Sequence, residues 1–194
     1  MKSILEIYST LWDAAKRDDR FIRETFVDRV YKEISPQLTV VDLGGFTGEF
    51  SFYCLPFAKQ IFTFEPDPTP FEKLKEYVEL FGVGDKMKIF NIAVAATDGI
   101  KKMNMLGGGG SHYDGNGVEV ESKSLNTIMR ENDIKYIDIL KVDIEGGEDE
   151  IFSAEDFPAD KIGIIIGEHD GFLKLEKHGF KVKVDDNRIY VATK

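Results

Sequence analysis

Five short apolar runs, spaced by segments of helical character, restrict this chain to one class of fold. "LTVVDL" (38–43), "QIFTFE" (60–65), "KMKIFNIAV" (86–94), "IDILKV" (137–142, interrupted by Asp138) and "KIGIIIG" (161–167) each read as a strand. The isoleucines of the fifth suggest burial on both faces. A helix starts near Gly48, and "DPTPFEKLKEYVELFG" (67–82) is a second, with Thr69 as its expected cap, Pro70 at the first helical position and Glu72 completing a capping box. "SLNTIMREN" (124–132) is a short third helix. The end, "GFKVKVDDNRIYVATK", alternates around Asp185-Asp186-Asn187 and predicts an antiparallel hairpin. Strand–helix alternation implies right-handed βαβ units. The expected fold is therefore α/β: a doubly wound sheet of five parallel strands plus an antiparallel C-terminal hairpin strand.

The N-terminal segment is different. Ile22, Phe26, Val30 and Ile34 recur at four-residue spacing, so about residues 3–34 read as helical, broken near Asp13–Arg20 and ended by Pro36. With 194 residues, one globular domain is expected. The formal net charge of -10 disfavours a phosphate backbone as partner, and no basic stripe is present, so no nucleic acid is expected. No apolar run reaches spanning length and the start lacks a signal peptide's pattern, so no membrane association is expected. The single Cys54 excludes an internal disulfide and reads as a small buried residue. Together these suit a cytoplasmic chain.

In doubly wound sheets ligands bind beyond the carboxyl ends of the strands. Each predicted strand ends at a polar residue: Asp42, Glu65, Asn91, then Asp143 with Glu145, then Glu168 with His169. One such residue is ordinarily a turn-former or cap; five together point to a site. The first turn, "VVDLGGFTGEF", is not a dinucleotide fingerprint, because Phe46 and Glu49 occupy positions that need glycine. An acid in the first helical turn would repel a pyrophosphate. Glu65 lies 23 residues after Asp42, close to the spacing at which a carboxylate takes a ribose diol. An adenosine ligand without phosphate fits both facts: S-adenosylmethionine carries a cationic sulfonium and an ammonium, which Asp42 or a neighbouring acid could hold. Gly44, Gly45 and Gly48 would let the backbone approach it. Asn91 could meet an adenine edge or be a plain turn residue.

The stretches "VVDLGGFTGEF", "FTFEPDP", "NIAVAATDG", "DILKVDIEGGEDEIF" and "IIIGEHD" resemble, in order and spacing, the motifs of FkbM-type S-adenosylmethionine-dependent methyltransferases. The resemblance spans roughly residues 38–184, and "LKVDIEGGEDEIF" is its most specific part. It implies a class I methyltransferase sheet and methyl transfer, usually to a hydroxyl on a sugar, glycan or natural-product intermediate. By position it implies cofactor contacts from Asp42, Gly44, Gly48, Glu65, Asn91 and Ala93. Asp143, Glu145 and Gly146 match the motif facing the reaction centre. Phe46 departs from the family's usual asparagine. The chain then divides into an N-terminal helical segment packing on the core (1–36) and a Rossmann-like, S-adenosylmethionine-binding domain (37–194).

Methyl transfer to oxygen needs a positioned acceptor and a proton acceptor. Asp143, Glu145, Glu168 and His169 are the candidates, with His169 or Asp143 favoured as base. "DIE" plus "EH" could hold a divalent cation, but no tight two-histidine spacing supports one, and no metal is expected. The glycine-rich stretch around Gly107–Gly110 reads as a hairpin tip, or as a loop placing His112 and Tyr113 over an acceptor. Two other readings stay open: an NAD-binding oxidoreductase on the same sheet, and a cofactor-binding module without turnover.

Overall fold

The structure is a computed structural model that describes residues 37–106, 111–113, 117–168, 174–184 and 189–194. The helices expected over 3–34, the glycine run 107–110, His169 and the turn 185–188 lie outside the described residues.

Strands β1 (Leu38–Leu43), β2 (Ala58–Phe64), β3 (Met87–Phe90), β8 (Ile137–Val142) and β9 (Ile162–Glu168) form the parallel part of a seven-stranded sheet. The C-terminal pair β10 (Lys181–Val184) and β11 (Ile189–Thr193) completes it, in the order β10-β11-β9-β8-β1-β2-β3. β11 inserts antiparallel beside β9, pairing Tyr190 with Gly167, and leaves β10 at the edge. The order reverses between β1 and β8, the position at which ligands bind in sheets of this kind. The five parallel strands and the antiparallel strand match the sequence expectation.

The four α-helices among the described residues are α1 (Glu49–Cys54), α2 (Pro68–Phe81), α3 (Leu125–Glu131) and α4 (Glu148–Ser153). None is long and apolar enough to cross a membrane. Two apolar layers sandwich the sheet. On one side α1 and α2 bury Phe52, Leu74 and Phe81 against Val40, Ile61 and Ile139; on the other, α3 and α4 bury Ile128, Ile151 and Phe152 against Val41, Leu140 and Ile165. Alternate residues of one strand thus serve opposite layers, as the pleat requires. Phe52 meets Phe81 edge-on at 5.3 Å, fixing α1 on α2.

Three expectations need correction. α2 begins at Pro68, not Pro70, because Asp67 is its cap: Thr69 N–H donates to Asp67 Oδ1 at 2.9 Å. The third apolar run is two strands, since β3 ends at Phe90 and β4 (Ala93–Val94) belongs to another sheet. That second, four-stranded sheet was not expected. It contains β4, β5 (Gly99–Asn104), β6 (His112–Tyr113) and β7 (Val118–Lys123), in the order β4-β7-β5-β6. β5 and β7 form an antiparallel pair from Gly99↔Ser122 to Met103↔Val118.

Candidate functional site

The site is built where β1, β2 and β8 end. β1 and β8 run in register, with Asp42 opposite Lys141, and Asp143 N–H continues the ladder by donating to Leu43 O at 3.0 Å. The chain then turns at Gly44 (φ 76°), where a Cβ would stand 1.7 Å from the Asp143 carbonyl oxygen. Only glycine lets the two turns touch.

Asp42 lies beneath this turn rather than in it. It is fully buried; Ser51 Oγ donates to its Oδ2 at 2.7 Å, and Ser51 in turn lies 2.6 Å from Thr63 Oγ1. Its Oδ2 is thus engaged within the protein. Its other oxygen faces the ammonium of Lys141 at 3.4 Å. Lys141 is 4% exposed and is the only cation among the buried polar side chains of the described residues. Its Nζ also donates to Gly44 O at 2.5 Å and stands 3.5 Å from Asp143 Oδ2. Burial alone would lower its pKa, but Asp42 and Asp143, with Glu65 further off, more than offset that and hold the ammonium above its ordinary value.

Glu65, immediately after β2, is 6% exposed. Its Oε2 accepts from Phe46 N–H and its Oε1 from Asp67 N–H, both at 2.8 Å. Burial pushes its pKa up to about 7, against the pull of those two bonds and of Lys141. Phe46 is half-buried with φ 47°, so it takes a left-handed conformation in order to aim its N–H at Glu65. Glu49 opens α1 and accepts from Thr47 Oγ1. Burial raises its pKa, and the carboxyl feels both Lys141 and Asp42, so it belongs to the same charged group.

Asn91 follows β3 and turns its amide onto the carbonyl oxygens of Glu65 (2.8 Å) and Pro66 (3.0 Å), bracing the backbone that carries the acid. Ala93 is buried at the start of β4. Gly45 packs on Thr63, and Gly48 (φ 96°) caps α1 against Leu74 and Phe52.

After β8, Asp143 keeps a side chain 25% exposed. Glu145 (φ 56°) and Gly146 (φ 107°) both take positive φ in a tight turn. Glu148 holds that turn: it is buried, and its carboxylate accepts from Ile144 N–H (3.0 Å) and Gly146 N–H (2.9 Å). Asp42, Glu65, Asp143 and the glycine turn thus converge around Lys141, and Asn91 braces the backbone of Glu65. No group of three or more metal-ligating side chains occurs among the described residues.

Sequence reasoning missed Lys141, Glu148 and the Ser51–Thr63 pair. Lys141 had a signal, a lysine inside a run that two neighbouring strands must bury. Glu148 had only the spacing of a helix-start acid, which ordinarily reads as a dipole partner.

The family described as "Methyltransferase FkbM domain" matches residues 42–187. No curated protein matches the sequence. Among solved structures, the methyltransferase FkbM of Methylobacillus flagellatus KT superposes with a TM-score of 0.63 at 12% identity, over 90% of this chain and 46% of that one. The chain therefore spans about half the length of that relative. The precorrin-6y C5,15-methyltransferase of Geobacter metallireducens GS-15 gives 0.55 at 16% identity, over 84% of this chain and 82% of its own. A protein of the NADB-Rossmann superfamily from Streptococcus agalactiae gives 0.52 at 12%, over 87% and 70%. At these identities the likeness is one of fold, and the family match rests on the sequence itself. The motifs that converge at the ends of β1, β2 and β8 lie inside the matched stretch, and the chain belongs to the FkbM methyltransferase domain family.

Proposed function

We propose that this chain transfers a methyl group from S-adenosylmethionine to a hydroxyl oxygen, on a sugar, glycan or natural-product intermediate. The observation that carries the cofactor reading is Glu65. A carboxylate oxygen has two acceptor positions, and one N–H on each leaves capacity for two more donors. A ribose diol supplies that pair. The donor set fits such a ligand in a second way: Glu49 sits beside Lys141 and Asp42, where a pyrophosphate would meet an acid. That weighs against an NAD-binding oxidoreductase.

When bound, the sulfonium supplies an activated methyl, whose C–S bond breaks as the C–O bond forms. The residues here have the remaining work of orienting the acceptor and taking its proton. Asp143 suits the second task, as a partly open carboxylate at the end of β8 whose orientation is fixed by Lys141 and by its own N–H to Leu43. Glu145, in the same turn, is assigned contact with the acceptor.

Calorimetry with S-adenosylhomocysteine tests the cofactor reading: binding is expected, weakened by Glu65→Ala, and no heat at millimolar ligand would sink it. Mass spectrometry of glycans and lipids incubated with labelled cofactor tests the acceptor class. Label appearing on nitrogen or carbon would overturn oxygen transfer.

A further inference from the structure

The acids of this site do not act on a ligand unopposed. Asp42, Asp143, Glu65 and Glu49 all feel one buried cation, and Lys141 lies at hydrogen-bond or ion-pair distance from two of them and from the Gly44 carbonyl. The ammonium touches the very turn along which a ligand would lie. It is almost wholly withdrawn from solvent, so its charge is screened less than a surface lysine's.

We propose that Lys141 sets the site's discrimination between the cationic cofactor S-adenosylmethionine and its neutral product S-adenosylhomocysteine. This rests on the cofactor reading given above. The two compounds share adenosine and the methionine end and differ in the sulfonium charge, so the ratio of their affinities reports the local potential alone. Four carboxyl groups by themselves would hold the cation tightly and release little advantage to the product. One fixed ammonium beneath the turn moderates that hold. Transfer discharges the sulfonium, so a nearby fixed cation also disfavours the reactant more than the transition state.

The proposal predicts opposite effects from the two halves of one ion pair. Asp42→Asn keeps an acceptor for Ser51 and leaves Lys141 under-compensated. It should lower the affinity for S-adenosylmethionine relative to S-adenosylhomocysteine by about tenfold, the size expected for a unit charge within roughly 10 Å at an effective dielectric of about 20. Adding Lys141→Met to Asp42→Asn removes the pair as a neutral unit and should bring the ratio back to within about twofold of wild type. Lys141→Met alone should move the ratio the other way. Loss of packing weakens both ligands together and leaves the ratio where it was, so a merely structural lysine does not give this pattern.

The experiment is calorimetric titration of the purified chain and the three variants with both compounds. Unchanged ratios in the variants that fold, or shifts of the same sign in both single variants, overturn the proposal. If the wild-type chain binds neither compound, the cofactor reading fails and this inference falls with it. If it binds both and the ratios stay put, only this inference falls.

Discussion

The backbone N–H of Phe46 donates to Glu65 Oε2 at 2.8 Å, so the turn after the first strand is fastened to the acid that ends the second. Glu65 is thus both a fastener and a candidate binding group, and its protonation couples the two. Its pKa rises from the ordinary 4.5 to about 7 in the fold. Between those values the folded chain keeps a proton that the unfolded chain has released. The stability owed to this group is therefore greatest below about pH 4.5, falls as pH rises, and is fully lost above about 7. Denaturant unfolding at pH 5 and pH 8 should differ by a few kcal/mol from this source, roughly, and Glu65→Gln should flatten the difference.

Ligand binding should run the other way. Hydroxyl donors favour the ionised carboxylate, so affinity for S-adenosylhomocysteine should increase from pH 6 to pH 8. Near pH 7 binding should release protons, visible as a heat that depends on the buffer's ionisation enthalpy. A flat pH profile in wild type would show that Glu65 does not take the hydroxyls.

Gly44 separates two kinds of glycine constraint. Its φ of 76° and the 1.7 Å approach of a built Cβ to the Asp143 carbonyl both oppose substitution, whereas Gly82, at φ 65°, has nothing within 4 Å. Gly82→Ala should cost about 1 kcal/mol, the penalty of the left-handed backbone alone. Gly44→Ala should cost at least twice that, because backbone meets backbone and neither strand end can yield without breaking the β1–β8 ladder. Thermal or denaturant unfolding of the two variants decides it, and equal costs would mean the turns are not in contact.

Glu148 closes the strand-four turn. Replacing it by alanine leaves the buried N–H of Ile144 without its acceptor, at a cost of about 1–3 kcal/mol, and frees the N–H of the exposed Gly146, which water can satisfy at lower cost. Amide exchange at those two positions should accelerate more than at neighbouring β8 amides. Uniform acceleration would indicate global destabilisation, not the release of one turn.

The parts of this molecule that are legible in the sequence are those governed by local pattern. β9 announces itself by consecutive isoleucines, and Glu65 by its distance from Asp42 and its place at a strand end. What is illegible depends on neighbours distant in sequence. Asp42 looks like an exposed strand-end acid until Lys141 is set opposite it, about a hundred residues on, and then its burial follows from charge pairing. β5 and β7 carry too few apolar residues to read as buried strands, because one face of each is exposed and only Met103 and Ser122 among them are buried. Thr69 looks a better cap than Asp67 only because Pro70 suggests a later start, and Pro68 fills the same role two residues earlier.

Asp67 also joins the two sheets. Its Oδ1 caps α2 through Thr69 N–H, while its Oδ2 accepts from Ser111 Oγ at 2.8 Å, just before β6. Ser111 Oγ is itself an acceptor for Leu106 N–H at 3.0 Å, so one hydroxyl ties both sides of the second sheet's tip to the residue two beyond Glu65. Asp67→Ala should cost about 1–2 kcal/mol through the lost cap, and Ser111→Ala about 0.5–1.5 kcal/mol through the lost bond. The two losses share one contact, so the double variant should cost less than their sum by about 1 kcal/mol. A double-mutant cycle on unfolding free energies measures that coupling directly. Strict additivity would mean that the second sheet rests on the core without this tie.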